Sequence, residues 1–187
     1  MNIAIDIDDT LTNSFEYFQP CVAEFFKVNV EELQEKNISY GNLPEEWKDR
    51  ELEFCKTYYD RLVPETPFKP DALWGVNELR ARGHKIIIIT ARTNAFYTDP
   101  YMTTKQELEN GGIVYDKLIC TLNKAEACIA EHVDVLIDDS IGNCEAAVTK
   151  GALAFLFTSK ANQDIETMLP RVSNWEEVVE WIDEMFF

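Results

Sequence analysis

Residues 2–14, NIAIDIDDTLTNS, begin as an apolar run and end in three aspartates, Asp6, Asp8 and Asp9. Four later segments share the apolar character: KIIIIT (85–90), KLICT (117–121), DVLIDD (134–139) and ALAFLFT (152–158). The runs are near-continuous rather than alternating, which is what strands covered on both faces require, so they predict a parallel sheet. Helical patterns lie between them. DALWGVNELRARG (71–83) sets Leu73, Val76 and Leu79 on one side and stops at Gly83. NKAEACIAEH (123–132) offers Asn123 and Glu126 as a capping box, and SNWEEVVEWIDEMFF (173–187) offers Ser173 and Glu176 as another. In the latter, Trp175, Val178, Val179, Ile182, Met185 and Phe186 form an apolar stripe. Alternating strands and helices predict an α/β class, a doubly wound parallel Rossmann-like sheet of five or more strands with right-handed crossovers.

One interval breaks the alternation. Residues 13–69 show helical periodicity and many aromatics, and the stretch is too long for a loop. The expected organisation is a core of 1–12 and 70–187 with a small helical insertion at 13–69, returning through Pro64, Pro67 and Pro70. A chain of 187 residues suffices for one core plus such an insertion. The net charge of −17 repels polyanions and argues against a nucleic-acid polymer or an anionic membrane as partner. No stretch reaches the roughly 18 apolar residues that a spanning helix needs. The five cysteines contain no C-x-x-C and no leader-like segment precedes Ile3, so free thiols and a cytoplasmic location are expected. Nothing in the sequence fixes an oligomeric state.

Ligands of an open parallel sheet bind beyond the carboxyl ends of its strands. Those ends carry Asp6, Asp8, Asp9 and Thr10; Thr90, Ala91 and Arg92; and Asp138, Asp139 and Ser140. If the first and fourth of these strands are neighbours, up to five carboxylates share one edge, a cluster that repels itself unless it holds a cation. Hard oxygen donors without Cys or His suit Mg²⁺. Lys124, in the first turn of a helix capped by Asn123, sits where the macrodipole disfavours a cation and makes sense facing an anion. Metal, lysine and a helix N-terminus together describe a phosphate site. One carboxylate of the Asp6 and Asp8 pair then serves as nucleophile at phosphorus, and the other as acid and later base.

These residues resemble the haloacid dehalogenase-like (HAD) hydrolase superfamily. DIDDT is similar to its first motif, D-x-D-x-T, IIIIT to the second, Lys124 to the third and LIDDS to the acidic fourth, in family order across the whole core. The resemblance implies Asp6 as nucleophile and Mg²⁺ ligand, and Asp8 as general acid/base and a ligand through its backbone carbonyl. It implies Thr90 and Lys124 on the phosphoryl group, Asp138 on the metal and Asp139 beside it or through water. The second acid at Asp8 favours phosphate-ester hydrolysis over dehalogenation. An insertion at this place is the family's C1 cap, whose closure would leave substrate choice to residues such as Phe15, Phe18, Trp47, Tyr58 and Tyr59. Members classed as 5'-nucleotidases and deoxyribonucleotidases look most similar, and a nucleoside 5'-monophosphate or another small phosphorylated metabolite is the expected substrate. Those members commonly carry Gly where this chain has Asp9.

Several readings compete at single residues. Lys105 is the alternative phosphate lysine if TTKQELENGG (103–112) begins its helix at the site edge. Arg92 binds phosphate or pairs with a nearby acid, and Asn143 supports the metal ligands or caps a helix. A receiver domain fits poorly, because its acceptor Asp and its Lys follow other strands. A phosphomutase of a sugar phosphate and a non-catalytic phospho-ligand module remain as alternatives.

Overall fold

The apolar runs become strands because residues on each run must face a helical layer on either side. The computed structural model describes residues 1–186. Strands β1 (Asn2–Ile5), β2 (Lys85–Thr90), β3 (Lys117–Cys120), β4 (Val135–Asp138), β5 (Leu153–Phe157) and β6 (Arg171–Val172) form one sheet in the order β3-β2-β1-β4-β5-β6. Every pairing is parallel. The chain builds outward from β1 through β2 to β3 and then returns to place β4 on the other flank of β1. That reversal puts a crevice at the carboxyl ends of β1 and β4, where ligands of such sheets bind.

Alternate residues of each strand point to opposite faces. Ile3, Ile5, Ile86, Ile88 and Ile137 pack against α4 (Ala72–Ala81), α5 (Pro100–Asn110) and α8 (Trp175–Phe186). Ala4, Ile87, Ile89, Leu136 and Leu156 pack against α6 (Lys124–Ala130) and α7 (Ile141–Thr149). On α4 the buried positions are Ala72, Gly75, Val76 and Leu79, Gly75 lying against Trp175 of α8, whereas Leu73 is exposed. On α8, Trp175, Val178, Val179 and Ile182 are buried and Met185 is largely exposed beyond the sheet's edge. The side chain of Phe186, which the expected stripe included, lies outside the described residues, as does Phe187. The cap of α8 also sits one residue later than the sequence pattern. The Asn174 side chain accepts from the Glu177 N–H at 2.8 Å, and the Glu177 carboxylate accepts from the Ser173 N–H at 2.7 Å.

Between β1 and α4 the chain forms α1 (Ser14–Phe26), α2 (Val30–Glu35), a 3-10 turn (Glu45–Arg50), α3 (Glu51–Leu62) and a last 3-10 turn (Val63–Glu65). Its apolar faces meet in a cluster of their own, with Phe18, Val22, Leu33, Phe54 and Leu62 at the centre and Tyr97 added from beyond β2. The chain crosses into and out of this segment side by side. Thr12 and Phe68 form an antiparallel bridge, the Asn13 N–H donates to Pro67 O at 2.9 Å, and the Lys69 N–H donates to Leu11 O at 2.8 Å. Among the described residues no helix is long and apolar enough to cross a membrane.

Candidate active site

Strand β1 ends because its backbone turns back on itself. The Asp6 N–H still donates to Ile137 O at 2.9 Å, but the N–H groups of Thr10, Leu11 and Thr12 all donate to Ile7 O at 3.2, 2.8 and 3.1 Å. Asp9 turns this corner with φ of 60°, in the left-handed region. The turn aims Asp6, Asp8 and Asp9 in different directions. Asp6 points toward the end of β4, where Lys124 Nζ lies 2.5 Å from Asp6 Oδ1 and 2.7 Å from Asp138 Oδ2, all three side chains being buried. The α6 cap that delivers Lys124 is the expected one, since Asn123 Oδ1 accepts from the Glu126 N–H. Asp138 is further fixed by the Ser140 N–H at 2.8 Å and by the Asn143 amide at 3.2 Å. Ser140 caps α7, so Asn143 is free to support the carboxylate.

Asp8 is held apart from that group. Its carboxylate accepts from Arg92 Nη2 at 2.9 Å, Arg92 Nε at 3.1 Å and Ser14 Oγ at 2.9 Å. Arg92 is buried and its Nη1 pairs with the buried Glu107 behind it. The guanidinium is thus spent on two carboxylates and does not face an open phosphate position. Asp9 Oδ1 accepts from the Phe15 N–H at 2.8 Å, and Oδ2 accepts from the Tyr40 hydroxyl at 3.1 Å.

The electrostatics follow from this division. Burial pushes Asp6 up to about 7, with the charges of Asp138 and Asp8 adding to the effect and Lys124 opposing it. Burial likewise pushes Asp9 up to about 7, against the hydrogen bond from Phe15. Asp139 is driven well above the usual carboxylate range by burial and by Asp9, Asp138 and Asp6. In Asp8 burial works in the same upward direction, but the Arg92 charge and its hydrogen bonds outweigh it and hold the group low. Lys124 is raised, since Asp6 and Asp138 outweigh its burial.

Asp6, Asp138 and Asp139 each offer a carboxylate oxygen, and the three oxygens lie within 4.8 Å of one another. A hard, all-oxygen donor set of crowded carboxylates, with Asp6 and Asp139 pushed up by burial and by their neighbours' charges, fits Mg²⁺. Thr90 ends β2 at the same edge, buried, with its Oγ1 lacking a hydrogen-bond partner among the described residues. Lys105 is elsewhere. Helix α5 starts at Pro100 under an Asp99 cap, which puts Lys105 in mid-helix 3.6 Å from Glu109.

A cavity of about 490 Å³ opens over the carboxylates, walled by Phe15, Tyr40, Ile141, Asn162 and Ile165 among others. Of the five aromatics singled out in the insertion, Phe15 alone reaches it. Phe18 and Tyr59 are packed edge to face in the insertion's core, Trp47 stacks on Phe26 at 4.5 Å, and the Tyr58 hydroxyl donates to Glu24 at 3.2 Å. Tyr40, Asn162 and Ile165 were not read from the sequence. Asn162 and Ile165 follow β5, and the strand-end rule that found the other site residues extends to that loop. Tyr40 carries no local signal that separates it from its aromatic neighbours.

No family profile matches the chain. A nucleotidase of Clostridium acetobutylicum is 24% identical to it over 189 residues, spanning 100% of this chain and 95% of the relative. Among solved structures, a phosphatase predicted in Clostridium acetobutylicum superposes with a TM-score of 0.70 at 16% identity, over 98% of each chain. A HAD family hydrolase of Deinococcus radiodurans, crystallised with phosphate and sodium, superposes with a TM-score of 0.66 at 12% identity, over 98% of this chain and 95% of that one. The chain therefore has the fold of the haloacid dehalogenase-like hydrolases, with Asp6, Thr90, Lys124 and Asp138 gathered at one edge of its sheet.

Proposed function

We propose that the protein is a Mg²⁺-dependent phosphomonoesterase that works through an aspartyl-phosphate on Asp6. The observation that carries this reading is the Lys124 ammonium held 2.5 Å from Asp6 and 2.7 Å from Asp138 on adjacent strands, with Asp139 beside them. Asp6, Asp138 and Asp139, with the Asp8 backbone carbonyl as the resemblance implies, would hold Mg²⁺, which would supply positive charge to the phosphoryl group and to the cluster. Lys124 and the Thr90 hydroxyl bind and orient the phosphoryl group. Asp6 attacks phosphorus as the ester P–O bond breaks, and Asp8 gives the departing alkoxide its proton. Asp8 then takes a proton from the water that attacks the aspartyl-phosphate, releasing phosphate and free Asp6. Arg92 holds Asp8 ionised in the resting chain, ready as the base. An arriving phosphate dianion raises the pKa of a carboxylate next to it and so favours the protonated form needed for the first half.

The leading substrate class is a nucleoside 5'-monophosphate, supported by the name of the relative at 24% identity and by a cavity whose walls include Phe15 and Tyr40. Purified chain assayed for phosphate release across nucleotides, sugar phosphates and phosphoamino acids, with Mg²⁺ and with chelator, tests the proposal. Asp6→Asn and chelation are each expected to abolish release. Undiminished turnover in Asp6→Asn overturns the mechanism, and movement of phosphate within a hexose without release replaces it with a mutase.

A further inference from the structure

Asp9 is not used by the mechanism above, yet it is buried, polar and held in a strained backbone conformation. A side chain at φ of 60° carries a cost of about 1 kcal/mol that glycine avoids. Its two carboxylate oxygens are both engaged, one by the first turn of α1 at Phe15 and one by the Tyr40 hydroxyl 31 positions away. The helix contact alone does not call for Asp9 to hold Tyr40, so the second bond needs its own account.

Tyr40 is braced from every side. Its ring centroid lies 5.1 Å from that of Phe18 and 6.3 Å from that of Tyr59. The backbone that carries it is tied down as well: Ser39 Oγ donates to Phe15 O at 2.6 Å, Gln19 Nε2 to Ile38 O at 2.9 Å, and Asn37 Nδ2 to Lys160 O at 2.5 Å. The result is a braced aromatic side chain in the wall of the cavity that the carboxylates and Ile165 also line. Lys124 is the one basic side chain among the residues that line the cavity.

We propose that Asp9 is a positioning residue that locks Tyr40 as the specificity wall of the site, selecting phosphate esters whose leaving group presents a flat, uncharged ring. The inference rests on the phosphomonoesterase reading and names the leaving group that the site accepts. An ester with a second anionic group finds no basic side chain besides Lys124 among the lining residues to receive it. A flat, uncharged ring needs no such partner and lies against Tyr40 and Phe15.

The test uses the full chain with Mg²⁺ in an Asp6→Asn background, so that ligands bind without turning over, and calorimetric titration with inorganic phosphate and with uridine 5'-monophosphate. Asp9→Gly and Tyr40→Ala are each expected to weaken the nucleotide about five- to tenfold while moving phosphate less than about twofold. Asp9→Asn is expected to rescue, since an amide oxygen still accepts from the Phe15 N–H and the amide nitrogen donates to the phenol. Combining Asp9→Gly with Tyr40→Phe is expected to cost no more than Asp9→Gly alone, because the two changes break one interaction. Equal loss for both ligands, additive losses in the pair, no loss at all, or a nucleotide that binds no better than phosphate before substitution would overturn the proposal. Failure of the hydrolase reading shows separately, as absent phosphate release by the chain with Asp6 intact while the affinity pattern holds.

Discussion

On the proposed function, Lys124 is one buried charge that serves structure and chemistry at once. It offsets two carboxylates that would otherwise face each other out of water, and its removal leaves both without a counter-charge. Lys124→Met is expected to destabilise the metal-free fold by about 3–5 kcal/mol in urea unfolding and to abolish phosphate release. Lys124→Arg should not restore activity, because a planar fork cannot occupy the place of a compact ammonium between Asp6 and Asp138. The identity of this lysine was legible in the sequence through its cap, and Lys105 was separated from it by a helix that begins at Pro100 rather than within TTKQELENGG. The pairing of Arg92 with Asp8 and Glu107 was only half visible. A loop arginine beside an acid cluster signals ion pairing, but Glu107 lies a full helix away in sequence and nothing local marks it as buried. Asp9 was legible only as a departure from the glycine of similar proteins; its left-handed turn was not read from it, and its bond to Tyr40 depends on the path of a loop that no periodicity encodes.

Among the elements, the helix pair α4 and α8 shows how packing far from the cavity is tied to the catalytic turn. Gly75 faces Trp175 so closely that an added Cβ would sit 2.7 Å from the tryptophan Cβ and 2.8 Å from its Cε3. Trp175 is wholly buried, and its Nε1–H donates to Thr10 O at 3.2 Å, within the turn that follows Asp8 and Asp9. Gly75→Ala is therefore expected to cost about 1–3 kcal/mol by overpacking, read as a lower denaturant midpoint with an unchanged slope. The long elements were readable because two-sided burial writes itself as unbroken apolar sequence. Strand boundaries were read too generously: KLICT runs past its strand at Thr121, and DVLIDD exceeds its strand at both ends, at Asp134 and Asp139. Strand β6 escaped for a different reason: two residues, Arg171 and Val172, carry no period.

At the scale of the whole molecule, a chain of net charge −17 concentrates several of its acids at one crevice. Asp6 and Asp9 have native values raised to about 7, far above the roughly 3.9 of an unfolded aspartate, so the folded chain holds protons that the unfolded chain releases. Their contribution to stability is complete below the unfolded value and is lost as pH rises through about 7. The melting temperature of metal-free chain should accordingly fall between pH 5 and pH 8, and millimolar Mg²⁺ should raise it more at pH 8 than at pH 5, as scanning calorimetry at fixed ionic strength would record. A melting temperature indifferent to Mg²⁺ at pH 8 would count against the carboxylate cluster as a cation site. The doubled crossing at Thr12 and Phe68 has a consequence of another kind. Because the two ends of the helical segment already touch, exchanging everything between them for a segment of different length changes the chain-closure entropy little. The segment that carries Phe15 and Tyr40 is in that sense a replaceable cassette, and the sheet can keep its carboxylates in register while that part of the cavity wall is rewritten.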